Sequence, residues 1–253
     1  MRANHRHANS KAIAWVTIGT ALFSLIFASG KFAEGTVAAL QILFLRYIGG
    51  FATLLVIAAL RRKPLRAYRS TRPLSHFVRA LFGASGGGAL IYASANMPIV
   101  DATAIGLLYV VFLVPLGVLV LKERLTGRHV GAIALCGIGA AVIMASRNAF
   151  SEFQLAYLLP AGIAVLGAAL LAVEGLMLKM LSHADRTMTV LLYVNAFGIL
   201  LMAGPAYLQW LPLSLENLVL CLLLGPLAVT AQYCMVQGYR LAALSIVGPV
   251  DYT

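Results

Sequence analysis

The chain of 253 residues is 61% hydrophobic and only 11% charged, with 19 basic and 8 acidic side chains and a net charge of +11. Soluble domains are about half apolar and about a quarter charged, so these few charges cannot cover a solvated surface. Composition excludes a soluble enzyme, a nucleic-acid-binding domain and a secreted disulfide scaffold, and it places the chain in a bilayer.

A bilayer core of about 30 Å takes roughly 20 apolar residues per helix. Residues 1–11 read as a polar tail. Uncharged runs then predict spans at 12–30, 80–100, 102–121, 130–146, 155–173, 187–208 and 217–239, with one more at 35–60 that carries a single charge, Arg46. A further apolar run opens at Ala242 and reaches Thr253 after twelve residues, broken only by Asp251. Twelve residues are too short to cross, so a C-terminal remainder is expected. The small residues Ala28-Ser29-Gly30 resemble a signal-peptide end, but the first run is long for one and is read as an uncleaved span.

Lys and Arg alternate between connections. The tail and the connections after the second, fourth, sixth and eighth spans hold 15 of them, and the opposite side holds only Lys31 and Arg147. The positive-inside rule then places the N-terminus in the cytoplasm. The basic excess is a topology signal facing anionic headgroups, with no nucleic acid implied.

Segments near Lys31, 40–50 and 92–104 resemble segments near Lys179, 188–198 and 237–249, at offsets of about 145–149 residues. The period is five spans. An odd repeat re-enters the membrane from the opposite side, so the halves, 12–146 and 155–253, are expected to be inverted. Inverted halves suit alternating access. They also predict ten spans, with roughly 35–45 residues still to come at about 20 per span. The fold class read here is an all-α membrane protein, a polytopic helix bundle of two inverted five-helix repeats.

Ionisable groups at membrane depth cost about 2.5–3.5 kcal/mol near the centre and are kept where they face a cavity or a partner. Arg46 reads as a binder of an anionic group, or as a structural ion pair or cap. Glu174 reads as a proton-coupling or cation-binding carboxylate, or as an interfacial group neutralised by Lys179. Tyr92, Asn96, Asn195, Gln232, Tyr233 and Gln237 complete the substrate-cavity candidates, although amides and phenols at depth also join helices. Arg79 is expected to snorkel beside His76, Asp101 to cap the fourth span and Glu123 to brace the basic turn around it. Gly83 with Gly87, and Ala84 with Gly88, are expected to pack the third span closely. Pro115, Pro160, Pro205, Pro226 and Pro249 are expected to interrupt spans. Trp15 and Trp210 read as interfacial anchors.

Cys136, Cys221 and Cys234 lie in apolar runs without metal-ligand spacing and read as buried thiols. His5-Arg6-His7 reads as tail, no cofactor or metal is expected, and no catalytic residue is assigned. Reactive motifs such as HExxH are missing, as is an ATP-binding loop. A secondary transporter therefore leads over an intramembrane enzyme and over a channel or structural membrane protein.

The sequence resembles the EamA-type permeases of the drug/metabolite transporter superfamily. The resemblance rests on ordered local elements: Gly30-Lys31, Leu45-Arg46-Tyr47, the stretch Met97–Ala104 at the fourth span, and Leu121-Lys122-Glu123-Arg124-Leu125 closing it, with Lys122 where the family has Gly. Gly131 and Gly137, Tyr193-Val194-Asn195 and Gly248–Thr253 follow in order. The resemblance implies a ten-helix permease moving small organic metabolites or drugs, amino-acid-like or other small solutes, across a bacterial inner membrane, with export favoured. Its partners would be a small-molecule solute and the lipid bilayer, with a coupling ion or counter-substrate and a homodimer left open.

Overall fold

The computed structural model describes residues 2–32, 37–123, 127–146, 150 and 154–252. Among the described residues ten α-helices follow one another: α1 (Arg2–Phe32), α2 (Ala39–Leu60), α3 (Pro73–Asn96), α4 (Ile99–Gly106), α5 (Leu108–Leu121), α6 (Gly127–Ser146), α7 (Leu158–Ala184), α8 (Thr187–Leu208), α9 (Leu215–Leu241) and α10 (Leu244–Val247). No strand occurs among the described residues. In a bilayer only helices or closed barrels satisfy their own backbone groups, and this chain is an all-α, multi-pass membrane protein. Six stretches are long and apolar enough to cross: Ala8–Ile26, Ala39–Leu60, Ile99–Leu121, Leu155–Ala184, Thr187–Leu208 and Leu215–Leu241. The more polar α3 and the helix α6 have 24 and 20 residues.

Several boundaries depart from the sequence expectation. Residues 2–11, read as a tail, continue α1 as helix. The sixth span does not stop at 173: α7 runs through Glu174 and Lys179 to Ala184, because both charges find partners inside the bundle. The fourth span divides at Leu107, just after Gly106, rather than at Pro115, which sits inside α5. Pro160 falls in the first turn of α7 and interrupts nothing. Lys122 ends α5 at φ 55°, ψ 35°, the left-handed region that favours glycine.

The packing has a two-fold pattern. α3 packs on α7 as α1 packs on α9, and α3 meets α8 as α2 meets α9, with α2 and α8 in mutual contact. Exchanging 12–146 for 155–253 maps each of the first two pairs onto its counterpart. The local geometry repeats too. α2 and α8 are both 22 residues long and begin 148 positions apart, at Ala39 and Thr187. α3 breaks at Met97 (φ −151°, ψ 166°) as α9 does at Ala242 (φ −137°, ψ 164°), 145 positions on.

Glycines set the close crossings. A Cβ on Gly225 would meet backbone of Gly49 and Gly50, so α2 and α9 touch main chain to main chain. At the α3–α7 crossing the small residues are Gly86 and Gly167, whose added Cβ atoms would fall 2.9 Å and 3.0 Å from each other's carbonyl oxygens. Gly87 and Gly88, expected to pack, have open space around them, while Gly83 faces Glu174.

Candidate functional site

A central cavity and a wider one at one end open inside the bundle. The central one, about 190 Å³, is bordered by α1, α2, α3, α5, α7, α8 and α9. Arg46 from α2, Arg79 from α3 and Glu174 from α7 line it together, with Gln232 and the rings of Tyr47, Tyr109 and Tyr239. Arg79 is 6% exposed and does not snorkel: its Nε donates to Glu174 Oε1 at 2.7 Å. Glu174 is thus neutralised by Arg79 on a neighbouring helix, not by Lys179. Gly83, one turn from Arg79, leaves the room through which Glu174 reaches it; a Cβ there would lie 3.1 Å from Glu174 Cγ. Arg46 forms no ion pair with a described residue. Its guanidinium lies 4.8 Å from the centroid of the Tyr47 ring, and its buried Nε has no hydrogen-bond partner. Tyr109 and Tyr239 join hydroxyl to hydroxyl at 2.7 Å across the cavity wall.

The second cavity, about 530 Å³, lies at the end of the bundle where α2 and α3 are joined by residues 61–72. Arg61, Lys63, Arg186 and Arg240 line this vestibule, and no acidic side chain does. Tyr233 and Gln237 face it rather than the central cavity, with Gln237 Nε2 donating to the Tyr233 hydroxyl at 2.8 Å. Trp15 meets Tyr233 edge to face at 5.9 Å, so it packs against α9.

Asn195 is 1% exposed and bonds Gln232 Oε1 at 2.9 Å while capping Leu191 O in its own helix. It ties α8 to α9, and Gly50 leaves room for its Oδ1. Tyr92 and Asn96 line neither cavity. Both are exposed at the end of α3, where Asn96 Nδ2 bonds the Tyr92 carbonyl.

The opposite end of the bundle is closed by Gln41, fully buried, whose Nε2 donates to Leu211 O at 3.0 Å and whose Oε1 accepts from Leu211 N at 3.3 Å. Around this double bond Val37, Leu45 and Cys221 form a small core, and Trp210 packs edge-on to Phe44. The start of α2 is thereby locked to the α8–α9 connection. In the pseudo-symmetric place, where the start of α8 faces the 61–68 connection, lies the vestibule.

Other charges brace helix ends. Lys179 Nζ donates to the carbonyls of Tyr239 and Ala242, and Arg240 donates back to Ser182 O and Asp185 O at 2.6 and 2.9 Å. Each cation satisfies the open carbonyl end of the other's helix. The Glu123 oxygens accept from Leu244 N and Ser245 N at 2.9 and 3.3 Å and cap α10, and Arg124 of the basic turn lies outside the described residues. Asp101 makes no cap bond to α4. Its Oδ1 accepts from Phe150 N at 2.6 Å, pinning the connection after α6.

His76, Ser70 and Asp185 converge, but both Ser70 Oγ (2.7 Å) and His76 Nε2 (2.8 Å) bond the same Asp185 oxygen. Serine and imidazole are therefore both engaged with the acid, and the serine has no base. Among the described residues no group of three or more His, Cys, Asp or Glu could hold a metal. Cys221 and Cys234 are buried free thiols, and the side chains of Cys136, His5, His7 and His129 lie outside the described residues.

Residues 10–145 match the EamA-like transporter family model. The chain belongs to the EamA-like transporter family. A riboflavin transporter of Rhizobium johnstonii is 30% identical over 208 residues, covering 80% of this chain and 65% of its own length. The pseudopaline exporter CntI of Pseudomonas aeruginosa is 26% identical over 234 residues, covering 91% and 78%. This EamA-like chain thus spans about two thirds of the riboflavin transporter's length. A solved crystal structure superposes with a TM-score of 0.75 over 100% of this chain and 85% of its own, at 19% identity, which shows a shared fold alone.

Proposed function

We propose that this EamA-like chain forms the body of a secondary transporter that moves small organic solutes across a bacterial inner membrane by alternating access, in the direction of export. The observation that carries the reading is the central cavity, which Arg46, Arg79 and Glu174 line together although they come from three different helices on both sides of the pseudo-symmetric packing. Charges are kept at depth only where they serve a partner or a pathway. The halves 12–146 and 155–253 act as inverted repeats, and the N-terminus lies on the cytoplasmic side. The open vestibule and the Gln41 lock at the other end support an inward-open arrangement. In the outward-open state the start of α8 would close on residues 61–68 and the Gln41–Leu211 bonds would part. The likeness to a riboflavin transporter and to a pseudopaline exporter supports a small organic cargo.

The test is solute counterflow in proteoliposomes carrying the purified protein, with a panel of organic metabolites. Arg46→Ala and Glu174→Gln are expected to change the kinetics without loss of folded protein. Unaltered kinetics in both variants would refute the cavity's role. Absence of any flux alongside a hydrolytic activity would replace transport with an enzyme.

A further inference from the structure

The charges in the central cavity do not balance. Two guanidiniums face one carboxylate, and the pair that forms uses only Arg79 Nε. Arg79 Nη1 and Arg46 Nε are both buried and both without a hydrogen-bond partner. Arg79 is more than nine-tenths buried, and both side chains line the same 190 Å³ space, room for about six waters at roughly 30 Å³ each. A buried donor left unpaired is costly, and a buried charge more so. The surplus of one positive charge calls for an anion that this chain does not supply from its described side chains.

The cavity is also shaped for an organic body. Tyr47, Tyr109 and Tyr239 line it with the guanidiniums, Arg46 lies 4.8 Å from the Tyr47 ring centroid, and the hydroxyls of Tyr109 and Tyr239 are already bonded to each other at 2.7 Å. The vestibule at the basic end has the same sign, with four cations and no acid. Positive potential focused in a low-dielectric cleft concentrates anions at its mouth.

We infer that the central cavity takes the single carboxylate-type oxyanion of a small aromatic or apolar solute between Arg46 and Arg79, and that Glu174 is the internal anion this group competes with. The inference rests on the transporter reading and adds the charge class of its cargo. Arg46 supplies the standing positive charge. Arg79 is shared: Glu174 holds its Nε, and the solute takes the free Nη1. Protonation or removal of Glu174 releases Arg79 fully to the solute.

The experiment uses three probes of one shape: phenylacetate, phenylacetamide and phenethylammonium. Binding to the purified full chain is read from thermal stabilisation against probe concentration, and transport from counterflow in liposomes. Phenylacetate is expected to half-saturate at a concentration about tenfold below that of the amide, the difference between a charge-assisted and a neutral hydrogen bond. Arg46→Gln should abolish that preference. Glu174→Gln should tighten phenylacetate binding about three- to tenfold, an effect opposite to the loss expected if the pair served folding alone. Because Arg79→Gln leaves Glu174 buried without its partner, the double variant Arg79→Gln/Glu174→Gln is the control, and it should keep a weaker anion preference through Arg46. Equal responses to acid and amide, a preference for the ammonium, no response to any probe, or weaker phenylacetate binding in Glu174→Gln would overturn the inference. Counterflow of uncharged solutes in that case would leave the transporter reading standing, so the two failures are distinguishable.

Discussion

Gly225→Ala adds one methyl group at the place where α9 crosses α2. The added Cβ would sit 2.6 Å from Gly49 Cα and closer still to Gly49 C and Gly50 N, all main-chain atoms. Carbon atoms in contact prefer about 3.5–4.0 Å, so the helices must separate by roughly 1 Å, and no side chain can rotate away to relieve it. Overpacking of this kind costs about 1–3 kcal/mol, and a rigid backbone on both sides argues for the upper end. Alanine returns about 0.5–1 kcal/mol of helix propensity, which leaves a net loss of about 2 kcal/mol. Gly87→Ala is the matched control, since nothing lies within 4 Å of its added Cβ. Both variants would be purified in mild detergent, heated in steps and scored by the monodisperse fraction surviving on size exclusion. Gly225→Ala should lose half its folded fraction several degrees below the parent, whereas Gly87→Ala should match or exceed the parent. If the two variants melt together, the α2–α9 crossing is not a main-chain contact and the reasoning fails.

Arg240→Ala strips Ser182 and Asp185 carbonyls of their donor, and Lys179→Met does the same for Tyr239 and Ala242. Each should destabilise by about 1–3 kcal/mol through unsatisfied buried groups; the same heating assay reads the loss, and parent-like melting of both would deny the mutual cap. Gln41→Ala removes both bonds to Leu211 and loosens the closed end. With Cys136 and Cys234 replaced by alanine, Cys221, only 4% exposed beside this lock, should react with a membrane-impermeant maleimide about tenfold faster in Gln41→Ala than in the parent. Equal labelling rates would show that Gln41 does not hold the closure.

Much of this architecture was legible without coordinates, because a bilayer demands about 20 apolar residues per crossing and rejects unpaired charge. That rule located α2, α6, α8 and α9 within four residues, missed the first ten residues of α1 and the last eleven of α7, and named Arg46 and Glu174 as the anomalies. The register laying Met97 over Ala242 coincides with the matched helix breaks. Arg79 was misread because a cation seven positions into its helix resembles a snorkelling one until the neighbouring helix is known. The available signal was an opposite charge, Glu174, in an otherwise uncharged run beside small residues. Gln41 carried no signal, since a lone amide near a span end differs little from Asn96, which only bonds its own helix.

Residue types and their order are enough for the part governed by the solvent: an all-helical membrane chain, its number of apolar runs, the segregation of its basic residues and the family to which its ordered motifs point. Tertiary structure alone decided which charges meet. Glu174 could have faced Lys179 five residues on, yet the α3–α7 crossing at Gly83 and Gly86 brings Arg79 to it and sends Lys179 to the end of α9. Pairing depends on distances between helices that are far apart in the chain, and those distances are set by which small residues let backbones approach.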